Sequence, residues 1–340
     1  MEDIITVKGL TKLFTVHYRD REGLWAAFLS LFQRKFRVIL ALDNIDLNIK
    51  TGEIHALLGP NGAGKSTAIK ILSGILHPTA GEVSAMGYVP WKERGEYVRN
   101  IGVMFGQKGQ ITWELPAIDY YQILKEIYKI PRQKFKRNLD YLVDLFQIGA
   151  AVQKPIRNLS LGERMRCEFV CALLHEPKLV FLDEPTIGMD LIAKDIVRDY
   201  IKRLNRELGT TIILTSHDLG EITGLCKKIT IINYGRIVFD GAIDTLRARF
   251  SNKKVLEFKF NQALARQDIG KYKIQMTGPA TGIVTIANHN GQLPSEIIEI
   301  MNNLPVRDLN IYEESIESII KSIYQHEQIF NDSTAQRRSG

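Results

Sequence analysis

No apolar run in this chain approaches the ~20 residues that a helix needs to cross a bilayer, although 45% of its 340 residues are hydrophobic. The apolar residues fall instead in short runs, which suits buried strands and amphipathic helices. No charged, apolar and small-residue leader follows Met1, so secretion is not expected. Cysteine is scarce as well, with three residues, too few for a disulfide framework. Cys167 and Cys171 lie four apart on a helical face that His175 extends. Three possible ligands without a fourth nearby make packing, not metal binding, their expected role. The unpaired Cys226 fits a reducing compartment. Charge is not one-sided either, since 45 basic and 38 acidic residues leave +7. The basic clusters at Arg34–Arg37, Lys134–Arg137 and Lys253–Lys254 are dispersed rather than striped, and no nucleic-acid motif accompanies them. Nucleic acid is therefore not an expected partner. Solvated faces account for such clusters, and an anionic membrane face would also suit them. The length points to about two domains.

What the chain does have is a glycine-rich loop in a telling place. Gly59-Pro60-Asn61-Gly62-Ala63-Gly64-Lys65-Ser66-Thr67 fits G-x-x-x-x-G-K-[ST], after the apolar run Ile54 to Leu58 and before the helical run Lys65 to Ile75. Glycines let backbone N–H groups turn inward onto a phosphate, because a positive φ is cheap without a Cβ. The helix N-terminus adds its positive end. Lys65 supplies a point charge to the outer phosphates, and the Ser66 hydroxyl suits Mg²⁺. The pattern predicts an ATP site.

Two further runs narrow the chemistry. Leu179-Val180-Phe181-Leu182-Asp183-Glu184 reads as a buried parallel strand with acids at its C-terminal end, the edge where ligands of open α/β sheets collect. Asp183 is placed to hold Mg²⁺ through water, and Glu184 to polarise an attacking water. Some twenty residues earlier, Leu159-Ser160-Leu161-Gly162-Glu163 opens a helix and makes a second anion site.

A Leu-Ser-x-Gly-Glu run shortly before an Asp-Glu strand resembles the ATP-binding-cassette (ABC) ATPases, over residues 4 to about 245. The resemblance extends to Gln107 as the glutamine loop, Gly188-Met189-Asp190 as the aspartate loop and His217 as the switch histidine. It implies ATP and Mg²⁺ as ligands. Gly59 to Thr67 hold the phosphates, Ser66, Gln107 and Asp183 the metal, and Glu184, His217 and Gln107 serve hydrolysis. In this family the nucleotide is sandwiched between subunits, so Ser160 and Gly162 would close on the γ-phosphate from a partner, and Glu163 and Asp190 are also expected at the nucleotide. One cradle and one signature per chain, with all positions filled, make a homodimer the simpler expectation. Glu163 stands where many members have Gln, and Met189 replaces the commoner Leu. Two aromatics compete for the adenine. Phe36 lies nine residues before Ile45, the spacing that resembles the family's, and is favoured; Phe14 would then pack into the small sheet.

The expected fold class is α/β: a P-loop NTPase-type mainly parallel sheet with an antiparallel β subdomain and a helical subdomain, plus a small C-terminal α/β appendage. Strand-like runs lie near 4–9, 41–49, 54–58, 82–86 and 101–105, and helical patterns fill 117–147 beside Pro116 and Pro131. The expected domains are 1–250 for ATP binding, with the helical subdomain at about 108–175, 251–328 as the appendage, and 329–340 as a disordered tail. The appendage has strands at 254–260, 272–277, 282–287 and 306–312 and helices at about 294–303 and 313–325; His289 carries no assigned chemistry. Residues 17–37 read as a short amphipathic insertion with basic flanks, which would fold onto its own domain, touch a membrane surface or dock on a membrane partner. Trp113, just after the glutamine loop, reads as an anchor for a partner or as core.

The C-terminal layout and the runs Gly106-Gln107-Lys108 and Ile118-Asp119-Tyr120-Tyr121 resemble ATPase subunits of ABC-2-type exporters, loosely the drug or viologen group. This implies separately encoded integral-membrane permeases and a peripheral place on the cytoplasmic face of the cell membrane. The alternatives are a soluble ABC ATPase acting on ribosome or DNA, which would normally carry a second cassette or a long insertion, and an ATP-dependent regulator, in which Glu184 or His217 ought to be missing.

Overall fold

The computed structural model describes residues 2–18, 35–106, 111–216, 220, 222, 224–250, 253–263, 274–287 and 293–324. The chain divides into two compact units, Met1–Gly241 and Ala242–Gly340. The strands of the first are β1 (Asp3–Tyr18), β2 (Lys35–Lys50), β3 (Ile54–Leu58), β4 (Ala80–Ala85), β5 (Ile101–Phe105), β6 (Leu179–Asp183), β7 (Thr211–Thr215), β8 (Lys228–Asn233) and β9 (Arg236–Ala242). Its main helices are α1 (Lys65–Leu72), α2 (Ala117–Ile127), α3 (Arg132–Leu145), α4 (Leu161–Leu173) and α5 (Leu191–Leu208).

Strands β3, β6 and β7 are almost wholly buried, as strands covered on both faces must be, and that is why they read as unbroken apolar runs. They lie in a six-stranded sheet of order β5-β6-β7-β3-β8-β9, in which β5, β6, β7, β3 and β8 are parallel neighbours. The earliest strand of that sheet thus sits inside it, with β7 on one side and β8 on the other. Such a reversal of strand order opens a crevice at the carboxyl ends, where the loop after β3 emerges. A three-stranded antiparallel sheet, β2-β1-β4, packs its apolar face on α1 and the main sheet through Ile5, Val7, Leu47, Ile69, Phe181 and Ile213.

The antiparallel sheet corrects the sequence reading. β1 and β2 are each 16 residues long and pair from Asp3↔Lys50 out to Tyr18↔Lys35. Residues 17, 18 and 35–37, read as the ends of a helical insertion, belong to this ribbon; 19–34 lie outside the described residues. The physical reason is that Leu13, Val16, Phe36, Val38, Ile39 and Leu40 put apolar side chains on both faces of the ribbon. That erases the strict alternation by which a strand is recognised.

Pro116 and Pro131 stand at the N-caps of α2 and α3, where a missing N–H costs nothing. Among the described residues no helix is long and apolar enough to cross a membrane.

In the second unit α6 (Ile243–Phe250) precedes β10 (Lys253–Phe260), β11 (Gln275–Gly278), β12 (Thr281–Ala287), α7 (Leu293–Asn303) and β13 (Val306–Glu313). The strands form an antiparallel sheet of order β11-β12-β10-β13. Leu256, Phe258, Val284, Ile286 and Ile300 build its core. The last helical segment, 316–324, begins after Ser315 rather than at Glu313, which pairs with Lys254 in β13. Ser315 Oγ accepts the N–H of Ser318 at 3.2 Å, a capping bond that fixes where the helix starts.

Candidate functional site

The loop after β3 turns on glycines, two of which, Gly59 and Gly64, leave no room for a Cβ. Gly64 has φ 112°, and a Cβ there would meet Ala41 O at 2.6 Å and Leu42 Cδ2 at 2.7 Å. α1 starts at the next residue, Lys65, which is 5% exposed. Its Nζ donates to Gly59 O at 2.7 Å and Pro60 O at 3.1 Å. Burial pushes the ammonium below its ordinary range, while Glu184 and Asp183 pull it back up.

Opposite the loop stand the ends of β6 and β7, brought level by the register Asp183↔Thr215. Asp183 Oδ1 accepts from Thr215 Oγ1 at 2.6 Å and from Ser66 Oγ at 3.1 Å. Thr215, fully buried, also accepts the N–H of Glu184 at 2.9 Å through its hydroxyl, and its carbonyl accepts the same N–H at 3.2 Å. These bonds hold Glu184 in the left-handed region, φ 51°, a backbone state that favours glycine and must be imposed by its surroundings. The end of β5 closes in from the other side, where Gly106 N–H donates to Asp183 O at 2.8 Å.

Together these ends enclose a cavity of about 940 Å³ lined by Gly59 to Thr67, Lys70, Ile75, Ala41, Phe105, Gly106, Asp183, Glu184 and Ile187. Its floor is cationic and rich in N–H donors, and its far wall carries two carboxylates. Ser66 Oγ and Asp183 Oδ1 form a pair of hard oxygen donors. Mg²⁺ commonly takes one or two such donors and completes its shell with phosphate and water, so the residues present fit that ion.

The other expected residues lie apart. Ser160 is the N-cap of α4 in a complete capping box. Its N–H and hydroxyl donate to Glu163 Oε2 at 2.9 and 2.8 Å. Hydrogen bonds from the Ser160 backbone and then from its side chain hold the Glu163 carboxyl below its usual range. Asp190 caps α5 by accepting the N–H of Ala193 at 2.8 Å. Ser160, Gly162, Glu163 and Asp190 do not line the cavity. Gln107 and His217 fall outside the described residues. Neither Phe14 nor Phe36 lines the cavity; Phe14 pairs with Ile39, two residues from Ala41, whereas Phe36 is five residues from it and 55% exposed. Cys167 and Cys171 are buried on α4, and burial pushes the Cys167 thiol up to about 11. His175 stacks on Tyr128 with ring centres 4.0 Å apart, and burial pushes it down to about 4.

Thr215, which bonds both Asp183 and Glu184, is the residue at this site that sequence reasoning passed over. The available signal was a hydroxyl at the end of an apolar strand two residues before His217.

A phosphate cradle set against an Asp-Glu strand end, with a capped Ser-x-Gly-Glu helix held apart from it, is the arrangement of a nucleotide-hydrolysing protein. Comparison with known proteins agrees. Residues 42–187 match the family model described as ABC transporter. The chain is 32% identical over 285 residues to "Bacitracin transport ATP-binding protein BcrA" of Bacillus licheniformis, covering 82% of this chain and 90% of that protein. It is 32% identical over 215 residues to "Daunorubicin resistance ATP-binding protein DrrA3" of Streptomyces coeruleorubidus, covering 63% and 67%. A solved "ATP binding subunit of ABC transporter" superposes with TM-score 0.61 at 25% identity, over 73% of this chain and 93% of that one. The chain belongs to the ABC transporter family, as one of its ATP-binding, ATP-hydrolysing subunits.

Proposed function

We propose that this chain is the ATPase subunit of an ABC-2-type exporter, working as a homodimer beneath separately encoded permeases on the cytoplasmic face of the membrane. The observation that carries the dimer is the separation of the two half-sites. The cradle cavity is lined by Lys65, Ser66, Asp183 and Glu184 but not by Ser160 or Gly162. Apolar residues are exposed at the signature and at the start of α5: Leu161 at 46%, Leu191 at 80% and Ile192 at 75%. Leu161 packs on Gly188, three residues before Leu191, and exposed apolar side chains of this kind suit a contact with a second copy.

In the reaction so proposed, Lys65 leaves the Gly59 and Pro60 carbonyls for the outer phosphates. Glu184 takes a proton from the attacking water as its oxygen bonds to the γ-phosphorus and the bond to the β-phosphate breaks. Mg²⁺, held by Ser66 and Asp183, supplies charge neutralisation for the phosphates. Gln107 and His217 keep their expected roles beside the γ-phosphate. The register favours Phe14 over Phe36 as the ring nearer the nucleotide. Export rests on the relatives that carry bacitracin transport and daunorubicin resistance in their names, and on the C-terminal unit. The exposed Phe36 and Val38, on one face of the ribbon beside this segment, support a contact of the region around 17–37 with the membrane face.

Two experiments test this. Glu184→Gln should bind ATP, accumulate as a closed dimer in size-exclusion chromatography, and lose hydrolysis by about 100-fold or more; parental turnover in that variant would remove Glu184 as the base. Tagged chain extracted from native membranes in mild detergent should carry one or two polytopic proteins in stoichiometric amount. Recovery from the soluble fraction with nucleoprotein would move the reading to a soluble ABC ATPase.

A further inference from the structure

Helix α4 carries more than the signature. Ser160, Arg164 and Glu168 follow one another at four-residue spacing, so they line one face of it. Glu168 is 3% exposed, and a carboxylate is kept in such a place only where hydrogen bonds compensate for lost water. One of its contacts is with the backbone beyond the glutamine loop: Ile111 N–H donates to Glu168 Oε1 at 3.2 Å. Ile111 itself is buried, at 2%.

Two residues on, Trp113 is 56% exposed and lies with its ring centre 5.5 Å from the Arg164 guanidinium, within cation–π range. The same stretch is tied to the approach to the signature by Arg157 N–H donating to Trp113 O at 3.1 Å and Ile156 N–H to Leu115 O at 3.2 Å. Ile111 to Leu115 is thus bonded at several points to the signature helix and its lead-in. At the cradle end, Gly106 is bonded to Asp183. Gly106 and Ile111, five residues apart in sequence, are thus tied to the carboxylate wall and to the signature helix respectively, and an exposed indole sits just past the second anchor.

We infer that Glu168 is a positioning residue, seconded by Arg164, that locks Ile111 to Leu115 to the signature helix. Movement of that helix on nucleotide binding is thereby carried to Trp113 at the surface. This rests on the nucleotide-sandwich reading above. A carboxylate is required because its oxygen must accept a backbone N–H in a place that water does not reach; alanine would leave that N–H without this acceptor.

The test uses the full chain in a Glu184→Gln background, with Trp25 and Trp91 replaced by Phe so that Trp113 is the reporter. ATP with Mg²⁺ should change Trp113 emission. In Glu168→Ala, ATP affinity should stay within about twofold while the emission change falls to about a third or less; Glu168→Gln, which keeps the accepting oxygen, should restore it. An undiminished response in Glu168→Ala overturns the inference, as does a parent in which ATP binds but Trp113 stays silent. A parent that binds no ATP overturns the ATPase reading and the inference with it, and binding measured separately tells the two failures apart. Should Glu168→Ala not fold, the unsubstituted chain still decides. Its Ile111 amide must exchange at least about tenfold slower than in an unstructured peptide, and exchange at the unstructured rate overturns the lock.

Discussion

Thr215 shows how much of a site can hang on one hydroxyl. Its Oγ1 donates to Asp183 at 2.6 Å and accepts from Glu184 N–H at 2.9 Å, so it aligns the residue proposed for metal binding with the one proposed as base. Thr215→Val keeps the shape and removes both bonds. The Glu184 N–H retains the Thr215 carbonyl, so the loss should be about 1–2 kcal/mol rather than a full unsatisfied donor. Turnover should drop about tenfold with ATP affinity changed less than about threefold, and Thr215→Ser should recover most of it. Equal loss in the Ser and Val variants would mean that packing, not the hydroxyl, matters there. Lys65, Ser66, Asp183 and Glu184 were legible because each is located by spacing within one short run whose strand or helix context is plain. Thr215 was not, because its part arises only when two strands distant in sequence are placed side by side in one register.

Elements are joined by polar contacts that no motif announces. His55 on β3 meets Glu53 Oε1 with Nδ1 at 2.7 Å and Thr230 Oγ1 on β8 with Nε2 at 2.7 Å, while Thr230 donates to Asp240 on β9 at 2.6 Å. Burial pushes the Glu53 carboxyl up, but the His55 hydrogen bond and charge, Lys228 and the Lys50 N–H together leave it below its ordinary 4.5. A depressed carboxylate contributes stability that is complete above the unfolded value and disappears as pH falls through the folded one. The melting temperature should therefore fall between pH 6 and pH 3 by more in the parent than in Glu53→Gln, and matching pH profiles would show that the network carries no linkage. The β1–β2 ribbon sets a second prediction. Phe14↔Ile39 and His17↔Phe36 place the two aromatics on opposite faces, so at most one faces the nucleotide. Phe14→Ala should weaken ATP binding by about tenfold and Phe36→Ala by less than about twofold; the reverse order in a titration would restore Phe36. The sequence reading caught the ribbon at 4–9 and 41–49 but not its outer part, because apolar side chains on both faces remove the alternation that marks a strand. The parallel strands did not escape it, since double burial gives short unbroken apolar runs.

At the scale of the whole molecule, the proposed sandwich requires that a chain with one cradle and one signature form no complete site alone, and this can be tested without knowing what is transported. In a two-fold dimer each site takes its cradle from one copy and its signature from the other. Lys65→Ala disables the cradle, and Gly162→Asp, by adding a charge beside Ser160, disables the signature. Either homodimer should be inactive for hydrolysis. Mixing the two after dissociation gives heterodimers in which the Lys65→Ala chain brings an intact signature to the intact cradle of its partner, while the other site loses both halves. With random pairing and independent sites, half the dimers hold one working site of two, so activity should recover to about a quarter of the parent's. Recovery below that figure but above either homodimer measures how far the two sites depend on each other. No recovery, with heterodimers demonstrated by mass, would mean either that the two sites turn over only together or that cradle and signature work within one copy; if Glu184→Gln then also formed no ATP-dependent dimer, the sandwich would have to be abandoned.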